Sequence, residues 1–242
     1  MQRFAIWWDA NEINFPQIAP PNGRRAIWRA KKLFAEIIHD VTALEGNPFT
    51  LPEIQTLLDG VTVGGRKISD AQQVLNQRDS YLRLFDLVES GGFSLNVETA
   101  CELQRLAARG EALEEGVFRR GKVTIGGSDY LPPTGGGDSL ARSLEEQFAR
   151  MSNDTGALGN PFEQGMVAFL HVARQQSFWD GNKRTGRLLM NGVLLSAGQD
   201  IITVPATKQL EFNQKMLRFY DSGDGTEMMK FLSGCQIRSK FE

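Results

Sequence analysis

Two apolar helical stretches, 162–176 and 183–197, lie almost end to end, parted by Phe178-Trp179-Asp180-Gly181. The second carries Leu188, Leu189, Met190, Val193, Leu194 and Leu195, which makes it a buried helix. Its start breaks the usual rule. A helix N-terminus exposes unpaired N–H groups and a partial positive charge, so it favours acidic neighbours. Here Lys183, Arg184 and Arg187 crowd the first two turns. Spaced three and four apart, they share one side of the helix and repel by roughly 0.2–0.5 kcal/mol per pair.

Something must offset that repulsion. An anion held by free backbone N–H groups and three cations would do so directly, and a polyphosphate suits best. Gly181 allows close approach of the backbone, and Asp180 is placed to hold a divalent metal bridging phosphates. The competing reading is a solvated basic turn, or ion pairs with acidic residues elsewhere in the chain. Charge placement alone does not choose between them.

The rest of the chain reads as helices around this pair. Residues 1–23, with three prolines between Trp7 and Pro21, form an N-terminal arm packed on the body, and 24–242 form one helical domain. Ile27, Ala30, Leu33, Phe34, Ile37, Ile38, Val41 and Leu44 recur at three and four, which predicts a helix over 24–45 stopped by Gly46 and Pro48. Thr50 to Glu53 reads as a capping box, and Ser69 to Gln72 as a second one opening a long helix closed by Gly91-Gly92. Val97 to Ala108 is a further helix. Residues 118–133 hold Val123, Thr124 and Ile125 before Gly126-Gly127, which reads as a short strand or hairpin. Asp138 or Ser139 caps a helix running through Met151, and two short helices near 207–219 and 226–233 follow. The expected fold is mainly α, with one small β-hairpin.

Composition narrows the function classes. A formal net charge of -2 argues against a nucleic-acid-coating protein. Two cysteines, Cys101 and Cys235, and two histidines, His39 and His171, are too few for a structural zinc site. Neither a signal-peptide core nor a membrane-length apolar run is seen, so a cytoplasmic protein with no membrane or nucleic-acid partner is expected.

Phe178-x-Asp180-Gly181-Asn182-x-Arg184-x-x-Arg187 resembles the Fic family motif, His-x-Phe-x-Asp/Glu-Gly-Asn-Gly-Arg-x-x-Arg. The likeness extends from about residue 28 to 233 and implies a Fic-fold helical bundle with a flap hairpin at 118–133 and its motif at 176–187. Most such proteins transfer AMP from ATP to a hydroxyl side chain of another protein. By resemblance, Gly181, Asn182, Lys183, Arg184 and Arg187 bind the nucleotide and Asp180 takes Mg²⁺. Val123, Thr124 and Ile125 would dock a target protein carrying a Ser, Thr or Tyr hydroxyl, by strand addition. An antitoxin or a second copy of the chain are further partners the family allows.

Two departures qualify the likeness. The family's catalytic histidine falls at Gln176, and a neutral amide cannot take a proton near neutral pH. Loss of a general base costs roughly 100- to 10,000-fold. His171, five residues earlier, lies about 140° round a helix from position 176. Lys183 stands where the motif has glycine, which resembles the Doc branch, whose members phosphorylate, yet Arg187 is kept. The expected function is a Fic-family ATP-binding protein with weak or lost AMP transfer. The alternatives are a non-catalytic protein-interaction module and a Doc-like kinase variant. Finally, Val41-Thr42-Ala43-Leu44-Glu45-Gly46 resembles the family's inhibitory helix end, Ser/Thr-x-x-x-Glu-Gly/Asn, with Val41 in the hydroxyl place. The resemblance makes Glu45 an inhibitory partner of Arg187.

Overall fold

At the centre of the structure, a computed structural model describing residues 6–237, two helices approach until only glycine fits between them. They are α7 (Pro161–Gln175) and α8 (Asn182–Ser196). A Cβ on Gly165 of α7 would stand 2.9 Å from the Met190 carbonyl oxygen of α8. One on Gly186 would stand 2.9 Å from the Phe169 carbonyl oxygen of α7. Such spacings forbid any side chain, so the pair packs backbone against backbone. Met166, Val167, Ala168, Phe169, Leu170, Leu188, Leu189 and Leu194 are fully buried around that contact.

Eight further helices enclose the pair among the described residues. They are α1 (Gly23–Lys32), α2 (Phe34–Ala43), α3 (Leu51–Leu58), α4 (Ile68–Glu89), α5 (Val97–Ala107), α6 (Gly137–Thr155), α9 (Gln209–Ser222) and α10 (Thr226–Ser233). The α4, α5 and α1 helices pack on α8, and α6 and α10 on α7. Among the described residues, pairing of strands is limited to two isolated bridges, Trp7 with Asp224 and Ile202 with Gln236. The fold is mainly α, as the periodicity predicts.

Local chemistry explains most boundaries. Thr50 and Glu53 form the predicted capping box, with Glu53 accepting from the Thr50 amide at 2.7 Å and from Arg66 at 2.6 Å. The second expected box is not formed. There α4 begins at Ile68 with Lys67 in the cap position and no side-chain cap, so Ser69 sits inside the first turn. Likewise α6 begins at Gly137, and Ser139 donates back to the Gly136 carbonyl instead of capping. The arm is pinned where described: Trp8 Nε1 donates to Glu163 at 2.8 Å, and Trp7 exchanges main-chain hydrogen bonds with Gly223 and Gly225. Residues 1–5 and 238–242 of the expected arm and body lie outside the described residues.

Two further expectations are corrected. The single helix expected over 24–45 is broken at Leu33 (φ -100°, ψ 20°) into α1 and α2. Arg29, Lys31 and Lys32 gather at the end of α1, where cations complement the helix dipole, and Phe34 turns onto Phe85 at 6.0 Å. The hairpin expected within 118–133 is an unpaired loop with a turn at Gly126–Gly127, where the Ser128 amide reaches the Ile125 carbonyl at 3.3 Å. The legs beside that turn, 122–125 and 128–131, share no ladder hydrogen bond, and Pro132-Pro133 beyond them have no N–H with which to extend one. Side chains hold the second leg instead. Ser128 donates to Asp221 at 2.5 Å, and the Arg174 guanidinium covers the Tyr130 ring at 3.8 Å.

Candidate functional site

The loop joining α7 to α8 is built from the inside out. Helix α7 ends on Gln176 in the left-handed region (φ 48°, ψ 56°), the one non-glycine residue at positive φ among those described. That costs of order 1 kcal/mol and reverses the chain sharply. The Gln176 amide nitrogen donates to the Ala173 carbonyl at 2.7 Å, and its oxygen accepts from Asn182 at 3.1 Å. Asn182 braces the loop from the other side: Oδ1 accepts from the Phe178 amide at 2.8 Å, and Nδ2 donates to the Phe178 carbonyl at 2.9 Å. Phe178 is fully buried against Phe118, ring centroids 4.8 Å apart. Gly181 is at φ 76°, and a Cβ there would stand 2.8 Å from the Ala108 Cβ, so only glycine closes the turn.

The three cations at the start of α8 find carboxylates. Glu45, carried just past α2, places Oε1 2.9 Å from Arg187 Nη2 and Oε2 3.4 Å from Lys183 Nζ. Burial alone would push the Glu45 carboxyl up, but Arg187, then Lys183 and Arg184, outweigh it and hold the pKa at about 2. Arg184 is only 4% exposed and donates to Glu111 at 2.8 Å, to the Ala107 carbonyl at 2.8 Å and to Asp180 at 3.4 Å. Of the two sequence readings, internal ion pairs describe this conformation. Arg187 keeps Nε and Nη1 buried without a protein partner, so its donor fork is only partly used.

A cleft of about 430 Å³ opens over this loop, lined by Thr124, Ile125 and Gly126, by Gln176 and Lys183, and by Asn213, Met216, Leu217 and Tyr220. Residues 124–126 therefore form one wall and α9 another. Of the expected phosphate ligands, Lys183 lines the cleft. Asn182, Arg184 and Arg187 lie beneath its surface, all less than 5% exposed. A larger hollow, about 630 Å³, lies between α2, α3 and α4 and contains none of the motif residues.

No side chain lining the cleft is placed to remove a proton near neutral pH. Gln176 is an amide, Lys183 is ion-paired, and burial pushes the Tyr220 hydroxyl up. His171 is buried elsewhere, with neither ring nitrogen partnered by protein, and burial pushes its pKa down to about 4. His39 lies 3.8 Å from Asp40 on α2. Burial also raises the Cys101 and Cys235 thiols, to about 12 and about 11, so neither is a thiolate near neutral pH.

Asp180 accepts from the Gly181 amide at 2.5 Å, and its side chain is 55% exposed. Among the described residues no three His, Cys, Asp or Glu side chains converge as metal ligands. A hard divalent cation at Asp180 would thus take its remaining oxygens from phosphate and water, as such ions commonly do beside nucleotides.

Sequence reasoning missed two residues here. Glu111, which holds Arg184, stands among acids in a loop and has no spacing signal. Arg119 is fully buried, and its side chain donates to four main-chain carbonyls. Nothing in the sequence separates it from Arg120 beside it, which is exposed and pairs with Asp138 and Glu114.

With this geometry in view, the likenesses to known proteins are informative. Residues 94–194 match the sequence profile of the Fic/DOC family. The chain is 28% identical over 215 residues to the protein adenylyltransferase Fic of Drosophila melanogaster. That match covers 87% of this chain and 42% of the relative, so the chain spans about two fifths of the length of the curated relatives it matches. In three dimensions it resembles Fic-1 from C. elegans, with a TM-score of 0.74 at 18% identity, covering 89% of this chain and 64% of that one. It also resembles IbpAFic2 in complex with adenylylated Cdc42, with a TM-score of 0.50 at 15% identity, covering 90% of this chain and 71% of that one. No helix among the described residues is long and apolar enough to cross a membrane.

Proposed function

We propose, from the premise that the chain carries a Fic/DOC-family domain over residues 94–194, that it binds ATP with Mg²⁺ at the start of α8. Its transfer of AMP to a protein hydroxyl is weak or lost because Gln176 replaces a base. The observation that carries this reading is the Glu45 carboxylate gripped by Arg187 and Lys183. A helix N-terminus that draws in a distant carboxylate is a place where an anion is stabilised. A phosphate of the nucleotide, richer in charge and in acceptor oxygens, would take the same cations once Glu45 leaves. Glu45 is then an inhibitor of its own protein: it occupies the partners of the phosphate and repels the phosphate itself.

Gln176 limits the chemistry. Its amide is turned onto the Ala173 carbonyl and Asn182. It supports the loop and has no lone pair basic enough to accept a hydroxyl proton. A hydroxyl-bearing protein as acceptor accords with the adenylylated Cdc42 bound by IbpAFic2, and Thr124 and Ile125 on the cleft wall would meet its main chain in this reading. A second reading, a binding module without chemistry, is favoured by the inward hydrogen bonding of Gln176.

Label transfer from α-labelled ATP with Mg²⁺ to lysate proteins tests the proposal. The chain would be run beside Gln176→His and Gln176→His/Glu45→Gly. Label on target proteins only with the histidine supports an adenylyltransferase scaffold lacking its base. Mg-ATP binding without label transfer in any variant favours the binding module or a Doc-like kinase, whose transferred γ-phosphate carries no α label. No binding even with Glu45→Gly overturns both the nucleotide site and the inhibitory role of Glu45.

A further inference from the structure

We infer that Arg119 is a positioning residue, which fixes the cleft-wall loop and residue 176 as one rigid unit. Its guanidinium reaches three points of the backbone at once. Nη1 donates to Gly121 at 2.5 Å, where the loop leaves, and Nη2 to Pro133 at 2.8 Å, where it returns. Nε donates to Gln176 at 2.5 Å and Nη2 also to Gln175 at 3.4 Å, at the end of α7. The Arg119 amide adds a bond to the Ser177 carbonyl at 3.0 Å.

The arrangement is costly for a mere core residue. A fully buried cation sheds its hydration, and among the described residues no carboxylate pairs with it. Desolvation accordingly lowers its pKa. What offsets that loss is main chain alone: four carbonyls, two of them at the negative end of the α7 dipole. An apolar residue would fill the space without that penalty, but it could not tie Gly121 and Pro133 to Gln176.

The consequence is geometric. Thr124 and Ile125 lie on the loop that Arg119 closes, and Gln176 lies on the carbonyl cluster that it holds. Arg119 therefore ties the cleft wall that bears Thr124 and Ile125 to the backbone of residue 176. Only a planar fork with five fixed N–H donors makes these bonds together. Lysine keeps the charge but offers one small ammonium, so it cannot hold both ends of the loop and the helix end at once.

Amide hydrogen exchange on the full chain tests this without any nucleotide. Its outcome stands apart from the ATP-binding reading, on which only the functional meaning of the wall rests. In Arg119→Lys, the hydrogen-bonded amides of the two segments, Ser128 and Tyr130 on the loop and Gln176 and Phe178 at the helix end, should exchange about tenfold faster or more, while those of α4 keep their rates. Acceleration of only one of the two segments overturns the inference, and so does equal acceleration everywhere, the mark of a purely structural residue. Arg119→Met should give the larger effect. If it does not fold, exchange in the unmodified chain under rising denaturant serves instead. The two segments must then open with one common free energy, and separate openings overturn the coupling.

Discussion

Glu45 and Arg187 meet at 2.9 Å across 142 residues of chain, joining the end of the second helix to the second turn of the eighth. The contact leaves Glu45 16% exposed at its side chain and Arg187 3%. A pair so placed gains more than a surface salt bridge, because water screens it poorly. It also shuts the cation against a ligand. Removing the carboxylate in Glu45→Gly should raise Mg-ATP affinity by about tenfold or more, as the competent state ceases to be the minor one. Glu45→Gln, which keeps the shape but not the charge, should fall between. Isothermal calorimetry decides, and unchanged affinity in both variants would end the inhibitory role.

Arg184 behaves differently from its partner arginine. Glu111, Asp180 and the Ala107 carbonyl consume its donors, so it fastens the end of α5 to the motif. Glu111→Ala would leave a 4%-exposed guanidinium short of its main partner. We expect a loss of about 1–3 kcal/mol in chemical denaturation, Glu111 being itself partly exposed. Nucleotide affinity in the Glu45→Gly background should stay within about twofold if Arg184 is structural. A clear gain in affinity on freeing it would restore the phosphate contact that the motif implies.

Much of this was legible in the sequence because helices announce themselves. The apolar period located both central helices to within two residues, since their burial leaves little choice of residue. The break at Phe178–Gly181 was equally plain: Gly181 cannot carry a side chain beside Ala108, and Phe178 fills a core space. Glu45 was found by resemblance, from the likeness of Val41–Gly46 to the family's inhibitory helix end. What escaped depends on tertiary contact. Leu33 breaks α1 from α2 where no Gly or Pro stands. Val123–Ile125 has β-branched residues in a row, yet a strand needs a partner leg, and the facing leg is held by Asp221 at Ser128 and Arg174 at Tyr130 instead. Arg119 and Glu111 act through segments far away in the chain, which no local pattern records.

His171 makes the stability depend on pH in a definite direction. Its pKa in the fold is about 4, below the ordinary 6.5, because burial disfavours the charged ring. Between those values the unfolded chain binds the extra proton and the folded chain does not, so stability rises with pH across the window. Acidification from pH 7 to 5 should cost about 2 kcal/mol through this group alone. His171→Leu should abolish that component and cost little at pH 7, where an unpartnered neutral ring is all it replaces. Thermal unfolding of both proteins at pH 7 and 5 checks it. An equal drop in both would mean that other groups carry the acid sensitivity.

The close approach of the central helices predicts a loss of stability from a single added methyl. Gly186→Ala would place a methyl 2.9 Å from both the Phe169 carbonyl oxygen and its ring. A flexible side chain could swing aside, but a helix carbonyl cannot, so α7 and α8 must separate. Overpacking of this sort costs about 1–3 kcal/mol. The motif loop spans the ends of those same two helices, with Gln176 and Asn182 hydrogen-bonded across it at 3.1 Å. Separation should therefore also loosen the loop. Gly186→Ala should lower the unfolding midpoint and speed amide exchange at 176–182 together, while Gly126→Ala, with nothing within 4 Å of its added carbon, should change neither. A Gly186→Ala protein as stable as the original would show that the helices can spread without loss, and that their glycines are not what sets the spacing beneath the site.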